Sequence, residues 1–120
     1  MSYFSKSNNV KELTCKDFDD SQVNKLRNQE SCAILFYAPW CIHCKNVAPI
    51  WEKLAARLPY FNLYAFDCVA NAGHHDKIKN DYPDMINGYP TIWFYENGLP
   101  VSKYEGQRSE ELLMKEIMNH

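Results

Sequence analysis

The sequence predicts an α/β domain built on a mixed β-sheet with flanking helices. Three observations lead there. Short apolar runs of strand type alternate with stretches of helical periodicity. An Asn97-Gly98 pair separates two strand-like runs, a signature of an antiparallel hairpin. A chain of 120 residues, nearly half of them apolar, suits one domain able to bury a core.

The elements follow in order. Residues 1–9 are expected to be a flexible N-terminal segment, ahead of a domain spanning residues 10–120. Val10 to Thr14 reads as a short strand. Thr14 is placed to cap a helix running to about Arg27, with Phe18 and Leu26 among its apolar contacts. Cys32 to Tyr37 is a buried strand. Cys41 to Leu58 is a long helix with Val47, Ile50, Trp51, Leu54 and Leu58 on its apolar face. Pro49 interrupts it without ending it, because the periodicity continues beyond.

Phe61 to Val69 is the next strand, and Ala72 to Asp81 contains a short helix. Pro90 precedes the strand Thr91 to Tyr95, and Leu99 to Tyr104 returns as the second arm of the hairpin. Ser109 caps a last helix with Glu110 and Glu111 in its first turn. Leu112, Leu113 and Ile117 are expected to face inward.

Composition excludes several function classes. A net charge of −2 gives no electrostatic footprint for nucleic acid. No apolar run approaches the ~20 residues of a membrane span. The polar opening residues carry no apolar leader, and the last residues carry no ER-retention signal. A cytoplasmic, reducing location is therefore expected, compatible with a virion or assembly role. An excised domain of a longer ER or secreted protein would look the same. A monomer is expected.

Five cysteines, an odd number, argue against a fully paired framework. Cys32 and Cys68 lie in apolar strand-like runs and are expected to be buried core thiols. Cys15 is expected to be exposed. Cys41 and Cys44 differ in kind: they form a C-x-x-C between a strand and a helix. A helix N-terminus carries partial positive charge, which favours a thiolate. Cys41 comes first and suits attack on a substrate disulfide; Cys44, one turn in, suits the resolving role. His43 and Lys45 add positive charge that would stabilise a thiolate at Cys41.

The segment Ala38-Pro39-Trp40-Cys41-Ile42-His43-Cys44-Lys45, followed by Ala48-Pro49 and Trp51, resembles the catalytic a-type thioredoxin domain of the protein disulfide isomerase family. Val10 to Thr14 with Phe18-Asp19, Gly88 to Ile92, Asn97-Gly98 and Tyr104-x-Gly106-x-Arg108 match further segments of that domain in order. The resemblance implies a thioredoxin fold with a cis Tyr89–Pro90 bond facing the dithiol. It implies a docking surface for extended substrate at Trp40, Ile42, Tyr89 and Pro90. Arg108 would modulate the resolving cysteine. No cofactor is implied beyond the redox-active Cys41–Cys44 disulfide. Partners would be protein or peptide thiols and disulfides, together with a redox-recycling protein.

Three departures stand out. Family members carry a buried acid six positions before the first cysteine, partnered by a lysine on the next strand; here those positions are Leu35 and Ala65. Both members of the pair are absent together, which avoids an unpaired buried charge. Slow resolution by Cys44 is the expected consequence. Ile42 replaces the usual glycine of the motif. The stretch from Asp67 to Gly88, with His74, His75, Pro83 and Met85, is a few residues longer than expected.

Two other classes compete. A zinc module could draw on Cys41, Cys44, His43, His74 and His75, but these residues lack ligand spacing and there is no second C-x-x-C. A thioredoxin-fold interaction domain with weak redox activity draws support from the missing charge pair. The intact dithiol weighs against it.

Overall fold

The computed structural model describes residues 3–120. A five-stranded mixed sheet forms the centre. Its strands are β1 (Lys11–Glu12), β2 (Cys32–Tyr37), β3 (Asn62–Asp67), β4 (Thr91–Glu96) and β5 (Leu99–Tyr104), in spatial order β1-β3-β2-β4-β5. β3 runs parallel to both β1 and β2, whereas β4 is antiparallel to β2 and β5. Three helices flank it: α1 (Ile42–Arg57), α2 (Ala72–Asp81) and α3 (Glu110–Met118). This is the thioredoxin fold. Among the described residues no helix is long and apolar enough to cross a membrane.

The sheet divides the buried interior into two apolar clusters. β2 is buried along its whole length, as a continuous apolar run in a central strand should be. Ala33, Leu35 and Tyr37 join α1 and α3 on one side. Ile34 and Phe36 join Phe18, Leu26 and Ile78 of α2 on the other. In α1 the buried positions are Cys44, Val47, Ala48, Trp51, Leu54 and Ala55, the i, i+3, i+4 spacing of one helical stripe. Cys44 opens that stripe, so the packing of α1 itself holds its thiol inside.

The expected helix from Thr14 to Arg27 is not formed. Thr14 does cap a turn, but only the short 3₁₀ turn Cys15–Asp17, closed reciprocally by the Asp17 carboxylate on the Thr14 N–H. The Asp19 carboxylate then accepts from the Ser21 and Gln22 N–H groups, which bends the chain away from helix. These bonds, that from the Ser21 hydroxyl first, hold the Asp19 pKa down at about 2. Phe18 and Leu26 are buried as expected, yet they meet as an antiparallel bridge. The Leu26 N–H donates to the Gly98 carbonyl at 2.8 Å. Tertiary pairing with the hairpin turn thus outweighs local helix propensity.

Other differences are smaller. β1 covers two residues of the expected five. β3 ends at Asp67, because its carboxylate accepts from the Val69 and Ala70 N–H groups, each at 2.9 Å, and turns the chain. In α3, Leu113 and Ile117 are buried, one turn apart, while Leu112 is 40% exposed. Residues 1 and 2 of the expected N-terminal segment lie outside the described residues. Within it, Phe4 is buried and Tyr3 stacks on Tyr37 at 5.0 Å. The Phe4 N–H donates to Glu12.

Candidate active site

The site sits where β2, α1 and the loop before β4 converge. Cys41 is the N-cap of α1, with extended backbone (φ −81°, ψ 123°), and the Lys45 N–H closes the first turn onto its carbonyl at 3.1 Å. The Tyr89–Pro90 bond is cis. The Tyr89 carbonyl accepts from the Cys41 thiol at 3.4 Å. Cys41 is 8% exposed and Cys44 is fully buried. All five cysteines are free thiols; Cys15 is exposed, and Cys32 and Cys68 are buried.

Burial pushes the Cys44 pKa up to about 12; the Ala38 backbone pulls it down, the hydrogen bond and charge of Cys41 add to the rise, and the charge of Arg108 lowers it. Burial likewise raises Cys32 to about 12 and Cys68 well above an ordinary thiol. Cys44 is the costly group to ionise in this dithiol, and Arg108 is a cation that acts on it. Arg108 is exposed and lines a groove with His43, Asn46 and Ile50 beside the first turn of α1.

Trp40 and Ile42 project outward, 68% and 63% exposed. The Trp40 ring meets Tyr89 edge to face, centroids 5.8 Å apart, so these residues form one apolar rim around Cys41. Pro90 lies buried beneath it. His43 and Lys45 are exposed on the first turn of α1. The structure therefore brings Cys41, Trp40 and Tyr89 into contact and places Arg108 in a groove with His43.

Beneath the dithiol, Leu35 and Ala65 are fully buried and directly paired across β2 and β3. Glu12 of β1 pairs with the same Ala65, so Glu12, Ala65 and Leu35 form a row on one face of the sheet. The Glu12 carboxylate accepts from the Tyr37 hydroxyl at 2.6 Å. Burial raises its pKa, partly offset by the bonds from Tyr37 and Phe4. Sequence reading passed over Glu12, because nothing in Lys11-Glu12 tells which strand lies next to it.

His75, singled out in the sequence only as a possible ligand of a zinc module, takes a different place. Its buried ring points from α2 to the Tyr89 hydroxyl, with Nε2 2.9 Å away. Its neighbour His74 donates from Nε2 to the Val23 carbonyl at 2.8 Å and packs on Phe18. The two adjacent histidines thus serve different loops. Among the described residues no group of three or more His, Cys, Asp or Glu side chains is placed to hold a metal ion.

Burial is the first cause of a lowered pKa at both His74 and His75. The fold holds both rings neutral, whereas unfolded histidine titrates near about 6.5. Their contribution to stability is complete above that value and is lost as pH falls through it toward the folded values. The thermal unfolding midpoint is expected to drop between pH 7.5 and 5.5, as circular dichroism can measure. His74→Phe should flatten part of that slope; a midpoint independent of pH over this interval would contradict the assignment.

The sequence model of the family described as Thioredoxin matches residues 9–119. Protein disulfide isomerase-like 2-2 of Oryza sativa subsp. japonica is 41% identical over 96 residues, covering 78% of this chain and 25% of that protein. Protein disulfide-isomerase erp38 of Neurospora crassa is 42% identical over 86 residues, covering 68% of this chain and 22% of that protein. The chain thus spans about a quarter of the length of these relatives. Among solved structures, the J-Trx1 fragment of ERdj5 superposes with a TM-score of 0.78 at 27% identity, over 98% of this chain and 54% of that one.

Proposed function

The chain belongs to the thioredoxin family, and on that footing we propose that it exchanges disulfides with protein thiols through Cys41 and Cys44. The observation that carries this reading is the placement of Cys41. It caps α1, is slightly exposed, and lies 3.4 Å from the carbonyl of Tyr89, the residue before the cis proline. The disulfide isomerase relatives support it.

In the reducing direction the Cys41 thiolate attacks one sulfur of a substrate disulfide. The substrate S–S bond breaks, and its other sulfur leaves as a thiolate that takes a proton from solvent. Cys44 then loses its proton and attacks Cys41 Sγ. The mixed disulfide breaks, the second substrate thiol departs, and a Cys41–Cys44 disulfide remains. Two electrons have passed to the substrate. The reverse sequence oxidises a substrate dithiol.

The helix N-terminus, His43 and Lys45 place positive charge on the turn that carries Cys41. Trp40, Ile42 and Tyr89 offer an apolar rim for an extended protein segment. Arg108 eases ionisation of Cys44 by its charge. A separate redox protein would recycle the dithiol. The disulfide isomerase relatives favour an oxidising compartment such as the ER lumen, where disulfides persist.

A second reading, an interaction domain with weak redox activity, draws on Leu35 and Ala65, which put apolar side chains where the family's charge pair would stand. Redox titration with thiol alkylation, combined with insulin reduction in the presence of excess dithiothreitol, separates the two. The oxidoreductase reading expects a reversible two-electron couple at Cys41/Cys44 and multiple turnovers of insulin. A pair that oxidises reversibly without insulin turnover would favour the interaction domain.

A further inference from the structure

We propose that His75 is a positioning residue for substrate docking, holding Tyr89 against the dithiol from the neighbouring helix. This rests on the oxidoreductase reading and adds a residue to it. Tyr89 has two contacts at the site: its carbonyl lies 3.4 Å from Cys41 Sγ, and its ring edge meets Trp40. An extended substrate reaching Cys41 must pass both. The backbone of this loop is anchored locally: the Thr91 hydroxyl donates to the Gly88 carbonyl at 2.6 Å, and Pro90 is buried. Residues 87–90 are bends outside any strand, and Asn87 and Gly88 are exposed. A Cβ added at Gly88 would meet nothing within 4 Å, so this loop is open on that side.

The Tyr89 ring packs on both core clusters, and its hydroxyl is held from α2. The His75 ring lies 5.9 Å from the Tyr89 ring, and Nε2 is 2.9 Å from its hydroxyl. His75 is itself well held: its side chain is 10% exposed, and its N–H donates to the Asn71 carbonyl at 2.9 Å. The protonation states match. Burial and then Lys79 lower the His75 pKa, with Asp76 acting the other way, while burial raises the Tyr89 phenol to about 12. At neutral pH the phenol donates and the neutral imidazole accepts at Nε2. The other nitrogen, Nδ1, then carries its proton facing the Asp76 carboxylate 3.9 Å away.

Without the imidazole, the phenol would sit half-buried with no partner at this position and would turn toward water. The ring edge presented to Trp40 would move with it. The loss would fall on docking of a peptide and spare the intrinsic reactivity of Cys41.

With excess glutathione as the recycling reductant and its uncatalysed rate subtracted, the test compares a fluorescent disulfide-bonded peptide with a small aromatic disulfide that needs no docking surface. His75→Leu and Tyr89→Phe should each lower kcat/KM for the peptide about tenfold, chiefly through KM. In His75→Leu the rate with the small disulfide should stay within about twofold of the parent. The double variant should lose no more than either single one, because both remove the same contact. His75→Gln, whose amide reaches the place of Nε2, should restore most of the peptide rate. Tyr89→Phe removes only a hydroxyl and His75→Gln keeps a polar partner, so both remain informative if His75→Leu unfolds.

Unchanged peptide kinetics in Tyr89→Phe, equal losses with both substrates, or multiplying losses in the double variant would each overturn the proposal. A parent protein inert toward both disulfides would instead overturn the oxidoreductase reading, and this inference with it.

Discussion

Cys41→Ser is expected to abolish insulin reduction, a loss of at least about 100-fold, because the attacking sulfur is gone. Cys44→Ser is expected to fail differently. Cys41 keeps its position at the N-cap of α1 and still attacks, but nothing releases the product. Substrate should then accumulate as mixed disulfides, visible as thiol-sensitive high-mass bands after alkylation and mapped to Cys41 by mass spectrometry. The asymmetry follows from burial: Cys41 is slightly exposed, whereas Cys44 is fully buried as the first residue of the apolar stripe of α1. Equal turnover in Cys41→Ser and parent would remove the proposed mechanism. Trapping at Cys44 in Cys41→Ser would reverse the two roles.

Installing the missing charge pair should accelerate resolution. Cys44 must lose its proton from a buried position that raises its pKa to about 12. Leu35 lies in the same buried cluster as Cys44 and can offer no proton acceptor. Leu35→Glu alone places a carboxylate at a fully buried site, at a cost of about 3 kcal/mol or more in stability. Adding Ala65→Lys should recover part of that loss. The register sets position 65 directly between position 35 and Glu12, so the lysine would meet carboxylates on both sides.

In the double variant, release of substrate from Cys41 should be about tenfold faster, the low end of what a positioned base contributes. Rapid quenching with acid and alkylation of the mixed disulfide would measure it. A double variant that folds as well as the parent and releases substrate no faster would remove the account of slow resolution.

Much of the fold was legible because its signals are local. The Cys32–Tyr37 run and the Leu99–Tyr104 arm of the hairpin have the expected bounds, while the short helix expected within Ala72–Asp81 fills that whole stretch, taking in the Gly73-His74-His75 opening expected to be irregular. Continuous apolar runs, helical stripes and an Asn-Gly turn each act within a few residues. The stretch after Thr14 was misread for the complementary reason. Its cap was correctly placed, but Asp19 draws the following N–H groups into a turn and Gly98, far along the chain, takes the Leu26 N–H. Leu112 shows the same limit on a smaller scale: an apolar residue beside an apolar stripe does not reveal which flank is covered.

The candidate site divides along the same line. The identity and order of Cys41, His43 and Cys44 on the first turn of a helix could be read directly, since strand, turn and helix adjoin in the chain. Conditions around them came from elsewhere. The Tyr89 carbonyl reaches Cys41 from the loop before β4, His75 reaches Tyr89 from α2, and Glu12 enters the row beside Ala65 from β1. A chain specifies its nucleophile through local geometry and helix electrostatics. Which groups hold the docking edge, and how hard the second thiol is to ionise, depend on burial and long-range register, and these exist only once the sheet has assembled.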